Sequence, residues 1–105
     1  MVYAFVQDVA ASWERYELET AVAIYPAPEG LILHLAGPTA EGFRVIEVWE
    51  DEAAWLRFRD ERLAPVLASM TRPAIPEPTF RDVRVVHVVA GESRREELRR
   101  SVKGS

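Results

Sequence analysis

The stretch LILHLAGPTAEGFRVIEVW, from Leu31 to Trp49, constrains this chain more than any other. Two apolar, alternating runs flank GPTAEG, whose Gly37, Pro38 and Gly42 break regular structure and let the chain reverse. The pattern predicts a β-hairpin with strands from Leu31 to Ala36 and from Phe43 to Trp49. His34 interrupts the first strand and Glu47 the second. A lone carboxylate on a buried strand is costly, so Glu47 needs a partner: Arg44, an arginine of another subunit, or His34.

The flanking segments define what this hairpin packs with. Val2 to Gln7 has strand composition, and Ser12 or Asp8 can cap a helix in which Trp13, Tyr16, Thr20 and Ile24 recur at helical spacing. YPAPEG, Tyr25 to Gly30, is a loop. Asp51 and Glu52 open a second helical run whose broad apolar face holds Trp55, Phe58, Leu63, Val66, Leu67 and Met70, with Pro65 kinking it or starting a new short helix. After the proline-rich loop Arg72 to Pro78 comes a last strand, expected from Phe80 to Val89. The order strand, helix, strand, strand, helix, strand is that of a ferredoxin-like α+β fold, βαββαβ, with both helices on one face of a four-stranded antiparallel sheet. Residues 1–90 form the expected domain, and 91–105 a charged tail.

Alternation says which side chains share a face of that sheet. Ala4 and Val6 are small and suit close helix packing, which turns Tyr3, Phe5 and Gln7 to the open face. With GPTAEG as the turn, His34 is expected opposite Val45 and Ile32 opposite Glu47, so His34 shares its side with Phe43, Val45, Glu47 and Trp49. Val83, Val85, His87 and Val89 are expected to join them. So large an apolar face calls for a second copy to cover it, giving a homodimer whose facing sheets enclose a cavity.

Composition excludes several alternatives. At 105 residues, 49% hydrophobic and 29% charged, the chain suits one ordinary domain, and its net charge of −4 with interspersed signs offers no field for nucleic acid. It has no cysteine for disulfides, thiol chemistry or cysteine-based metal sites. No apolar run is long enough to span a bilayer and no leader pattern opens the chain, so a cytoplasmic protein without a membrane partner is expected.

The run from Leu31 to Leu67 resembles a large bacterial group of small proteins in the dimeric α+β barrel superfamily, near the antibiotic biosynthesis monooxygenase domains. The resemblance rests on His34, Gly37, Pro38, Arg44, Val45, Val48, Trp49, Glu50, Arg62, Leu63 and Pro65. It implies a dimeric barrel with a pocket between sheet and helices. It also implies kinship with cofactor-independent oxygenases of aromatic polyketides, haem-degrading enzymes, polyketide cyclases and small isomerases. The residue pattern departs from the haem-degrading type, which uses an asparagine and a helix histidine: this chain has no asparagine, and both its histidines fall in predicted strands.

Among the groups left to handle protons, His34 is the first candidate, since imidazole gives or takes a proton near neutral pH and Glu47 is within reach to orient it. His87 could join from the far edge or a partner subunit. Tyr3, Phe5, Ile32, Phe43, Val45, Trp49 and Trp55 are expected to wall the pocket, and Arg59 could anchor an anionic substrate. Each has a plainer reading, as a hydrogen-bonded strand histidine, a core aromatic or an arginine whose stem covers the core. No metal or cofactor is expected. Two functions stay open: a small cofactor-independent enzyme of monooxygenase, cyclase or isomerase type, acting in secondary metabolism on a hydrophobic, aromatic or polyketide substrate, and a non-catalytic homodimeric binding or structural protein.

Overall fold

The computed structural model describes residues 1–69, 77–89 and 91. The segments 70–76 and 92–105, and with them much of the proline-rich loop and the charged tail, lie outside the described residues. Four strands, β1 (Tyr3–Val9), β2 (Leu31–Pro38), β3 (Phe43–Trp49) and β4 (Thr79–Val83), form one antiparallel sheet in the order β2-β3-β1-β4. This is the ferredoxin-like α+β arrangement the order of elements implied.

Both helical segments start where a side chain caps them. Ser12 Oγ accepts from Arg15 N at 3.2 Å to open α1 (Trp13–Leu18), and Asp51 Oδ1 accepts from Ala54 N at 2.8 Å to open α3 (Glu52–Phe58). Asp8, the other capping candidate, belongs to β1. α1 breaks at Glu19, whose buried carboxylate takes a 2.7 Å bond from Arg15, and α2 (Thr20–Ile24) follows. α3 runs on through a π-helical turn, Arg59–Leu63, into α4 (Ala64–Ala68), with Pro65 in the first turn of α4. Proline lacks an N–H and crowds the carbonyl four residues back, and the wider turn ahead of it relieves that crowding.

The hairpin reverses over two residues, Ala40 and Glu41. Thr39 and Gly42 close the turn by exchanging backbone bonds of 2.8 and 3.4 Å, so Gly37 and Pro38 belong to β2. This moves the register two places from the expected one: His34 lies directly opposite Glu47, and Ala36, not His34, opposite Val45. A shift of two preserves facing. A bulge between Leu31 and Leu33 then puts Leu31 opposite Trp49 and leaves Ile32 unpaired and 51% exposed.

Helices cover the face opposite to the one expected. Phe5 and Trp49 are fully buried and pack on α3, with ring centroids 4.7 Å apart for Phe5–Trp55 and 5.4 Å for Trp49–Phe58. Val9, Phe43 and Val45 form a second buried cluster with Tyr16 of α1. The open face instead carries the cross-strand rows Leu33–Val48–Ala4–Val83 and Leu35–Ile46–Val6–Arg81. The small side chains of Ala4 and Val6 thus mark the uncovered side, and the large aromatics meet the helices, where they bury most area. Val83 pairs with Ala4, so it too is on the open face and not with His34.

Candidate functional site

One cross-strand row on the helix side runs His34–Glu47–Phe5–Asp82, and its first two members carry a hydrogen-bonded chain. His34 Nδ1 is 2.7 Å from Glu47 Oε2, and Trp49 Nε1–H donates to Glu47 Oε1 at 2.8 Å. On the other side of the imidazole, Tyr16 Oη is 2.7 Å from Nε2. The side chains of His34 and Glu47 are 13% and 3% exposed, and Tyr16 is buried.

The direction of these bonds follows from what each group is able to do. An indole N–H only donates, so Glu47 accepts with one oxygen and stays an acceptor. Burial, and next the charge of Glu47, push the Tyr16 phenol up to about 12, so at neutral pH it keeps its proton. The assignment that satisfies every member has Tyr16 donating to Nε2 and Nδ1–H donating to Glu47, a neutral imidazole in the Nδ1–H form. Among the described residues no buried side-chain nitrogen or oxygen lacks a partner. The chain is therefore preorganised: a proton delivered at the Tyr16 end would make imidazolium next to a carboxylate already aligned to stabilise it.

Not all the candidate residues gather here. Glu47 pairs with His34; Arg44 is engaged on the open face, where it and Arg81 hold Asp8. His87 is exposed and lies past the end of β4, which stops at Val83 and does not reach Val89, so it cannot join His34 within this chain. Ile32 is displaced outward by the bulge. Arg59 is exposed and bonded to its neighbour Asp60 at the surface. Phe43 and Val45 surround Tyr16, whereas Phe5, Trp49 and Trp55 pack on one another in the core. Tyr3 sits at the rim of that core and donates to Asp82 Oδ1 at 3.0 Å.

Tyr16 is the member that sequence reasoning missed. Its helical spacing with Trp13 marked it as core, which it is, with the two rings stacked 4.4 Å apart. The available signal was chemical: a buried tyrosine hydroxyl needs a partner, and a strand histidine is one of few groups here able to supply it.

The fold is also that of three solved structures. PA3566 from Pseudomonas aeruginosa superposes with a TM-score of 0.62 at 17% identity, over 82% of this chain and 94% of that one. Rv0793 from Mycobacterium tuberculosis gives 0.58 at 15% identity, over 85% and 98%. MhuD, solved as an arginine-to-serine mutant with two manganese protoporphyrin IX bound per active site, gives 0.59 at 18% identity, over 86% and 98%. At these identities the likeness is one of fold. No protein-family profile matches the chain, and no curated protein matches it in sequence.

Proposed function

We propose that this chain is a small cofactor-independent enzyme, of monooxygenase, cyclase or isomerase type, in which the His34–Glu47 pair takes a proton from a hydrophobic aromatic or polyketide-like substrate. The observation that carries this reading is the 2.7 Å bond from Nδ1 to Glu47, which fixes the tautomer and aims Nε2 at the next proton donor. MhuD, which holds porphyrins in its active site, is an instance of this fold taking large planar ligands. The working unit is a homodimer formed through the open sheet face, where Leu33, Leu35 and Val83 are each 40–46% exposed.

A second reading, a non-catalytic dimer that binds a small apolar ligand or only fills its core, has its own observation. Two shallow depressions lie on the described surface, one of about 280 Å³ beside Arg44 and Ile46 and one of about 490 Å³ between Ala10–Trp13 and the hairpin tip. Neither is lined by His34, Glu47 or Tyr16.

Deuterium exchange separates the two. Anthrone and β-tetralone, aromatic ketones with acidic methylene protons, are incubated with the protein in heavy water under argon and followed by proton NMR. The enzyme reading expects accelerated exchange, reduced about a hundredfold in His34→Gln, which keeps a hydrogen bond but cannot relay a proton. A His34→Gln protein with full exchange activity would leave the second reading in place.

A further inference from the structure

We propose that Tyr16 is the residue through which substrate meets the His34–Glu47 pair: its hydroxyl passes a proton from an uncharged carbon acid to His34 Nε2. This deepens the enzymatic reading above and rests on it.

The imidazole has no nitrogen left for substrate. Nδ1 is held by Glu47 and Nε2 by Tyr16, each over 2.7 Å. A ligand that reached Nε2 directly would have to break the Tyr16 bond and displace a buried ring that Trp13 stacks on and Phe43 packs against at 5.4 Å. The phenol oxygen, by contrast, has capacity to spare: a hydroxyl offers one donor and two acceptor positions, and among the described residues His34 is its one hydrogen-bond partner. The tyrosine and imidazole planes lie within 14° of each other. β2 is an edge strand, and the chain of groups therefore begins at the border of the sheet, not at its centre.

The step balances without an oxidant. The substrate C–H bond breaks and its proton forms a new O–H bond on Tyr16. The old Tyr16 O–H bond breaks as its proton joins Nε2, and the carbanion's electron pair stays on the substrate as an enolate. His34 becomes imidazolium, paired with Glu47. The same surroundings set the substrate class. The carboxylates whose charge reaches the hydroxyl are Glu47 on β3 and Glu17 on α1, both opposing negative charge there. They disfavour a carboxylate or phosphate ligand and leave a neutral aromatic or enolisable ketone as the substrate class.

Tyr16→Phe keeps the ring and removes only the hydroxyl, and the full-length chain is tested on anthrone, β-tetralone and, as a charged control, β-tetralone carrying a ring carboxylate. Expected are wild-type exchange on the two neutral ketones, at least tenfold slower exchange on the charged one, and a loss of about a hundredfold in Tyr16→Phe with circular dichroism unchanged. Nitrogen NMR of His34 should also show Nε2 losing its hydrogen-bond donor in that variant while Nδ1 keeps its proton. Exchange at the wild-type rate in Tyr16→Phe, with His34→Gln inert, overturns the relay and leaves His34 as the group that meets substrate. Wild-type exchange in His34→Gln, or none by the wild-type chain on either neutral ketone, overturns both readings.

Discussion

Trp49 and Glu47, two positions apart on β3 and on the same face, are joined side chain to side chain, the indole N–H donating to Oε1 over 2.8 Å. The bond makes a core aromatic the keeper of a buried carboxylate. Trp49→Phe would leave Oε1 with no donor in a site closed to water and also open space in the core. The expected loss is about 2–4 kcal/mol of folding stability, measured by urea denaturation. A loss below about 0.5 kcal/mol would mean that the indole N–H contributes nothing to holding Glu47.

Alkaline solution should weaken the fold through two tyrosines. Burial first, then the charge of Glu47 for Tyr16 and the bond to Asp82 for Tyr3, raise both phenols from 10.0 to about 12. The folded chain then holds these protons more tightly than the unfolded chain does. Their contribution is complete below pH 10 and is lost as pH climbs from 10 towards 12. Denaturation midpoints taken across that window should fall with pH, and the fall should be shallower in Tyr16→Phe. An unchanged slope would show that Tyr16 titrates as it does in the unfolded chain.

The open face should bring two copies together. Fully burying side chains such as Leu33, Leu35, Ile46 and Val48 is worth on the order of 2 kcal/mol each. Light scattering at micromolar concentration should give twice the chain mass, and Ile46→Glu, in the middle of that face, should give the single mass with the helix-backed core intact. A wild-type monomer would remove the dimer from the proposed function.

Gly42 should tolerate no side chain. A Cβ there would collide with the carbonyl of Val9 and come within 2.9 Å of both the nitrogen and the oxygen of Ala11, all backbone atoms with nowhere to move. Gly42→Ala is expected to cost about 1–3 kcal/mol by overpacking, while Gly37→Ala, which meets no atom within 4 Å, should be nearly neutral in the same thermal melt.

The order of elements, the hairpin, both helix caps and the break at Pro65 were legible because each rests on local chemistry: alternation, a capping oxygen, a missing N–H. Which face the helices cover was not. Alternation groups Phe5 with Gln7 and Phe43 with Val45, Glu47 and Trp49, but it carries no sign, and the size argument from Ala4 and Val6 chose the wrong side. His34 and Glu47 were placed on one face by the same alternation; their direct opposition needed the turn to be located at Ala40–Glu41, which the breakers Gly37 and Pro38 disguised. His87 was misled by a valine alternation that outlasts the strand. Spacing puts Arg59 near the apolar stripe of the helix, and its bond to Asp60 at the surface leaves no mark in that spacing.

The bulge at Ile32 and the proline at the other end of β2 share a consequence for self-association. An exposed strand edge is a template on which other chains can add, and both a kink and a missing amide donor spoil that template. β2 carries one of each on the sheet's outer border, Ile32 near its start and Pro38 at its end. Its border is thereby guarded against runaway strand addition into fibrils. The sheet's other border, β4, has five residues with Arg81 and Asp82 among them, so brevity and charge guard it where a kink and a missing donor guard β2.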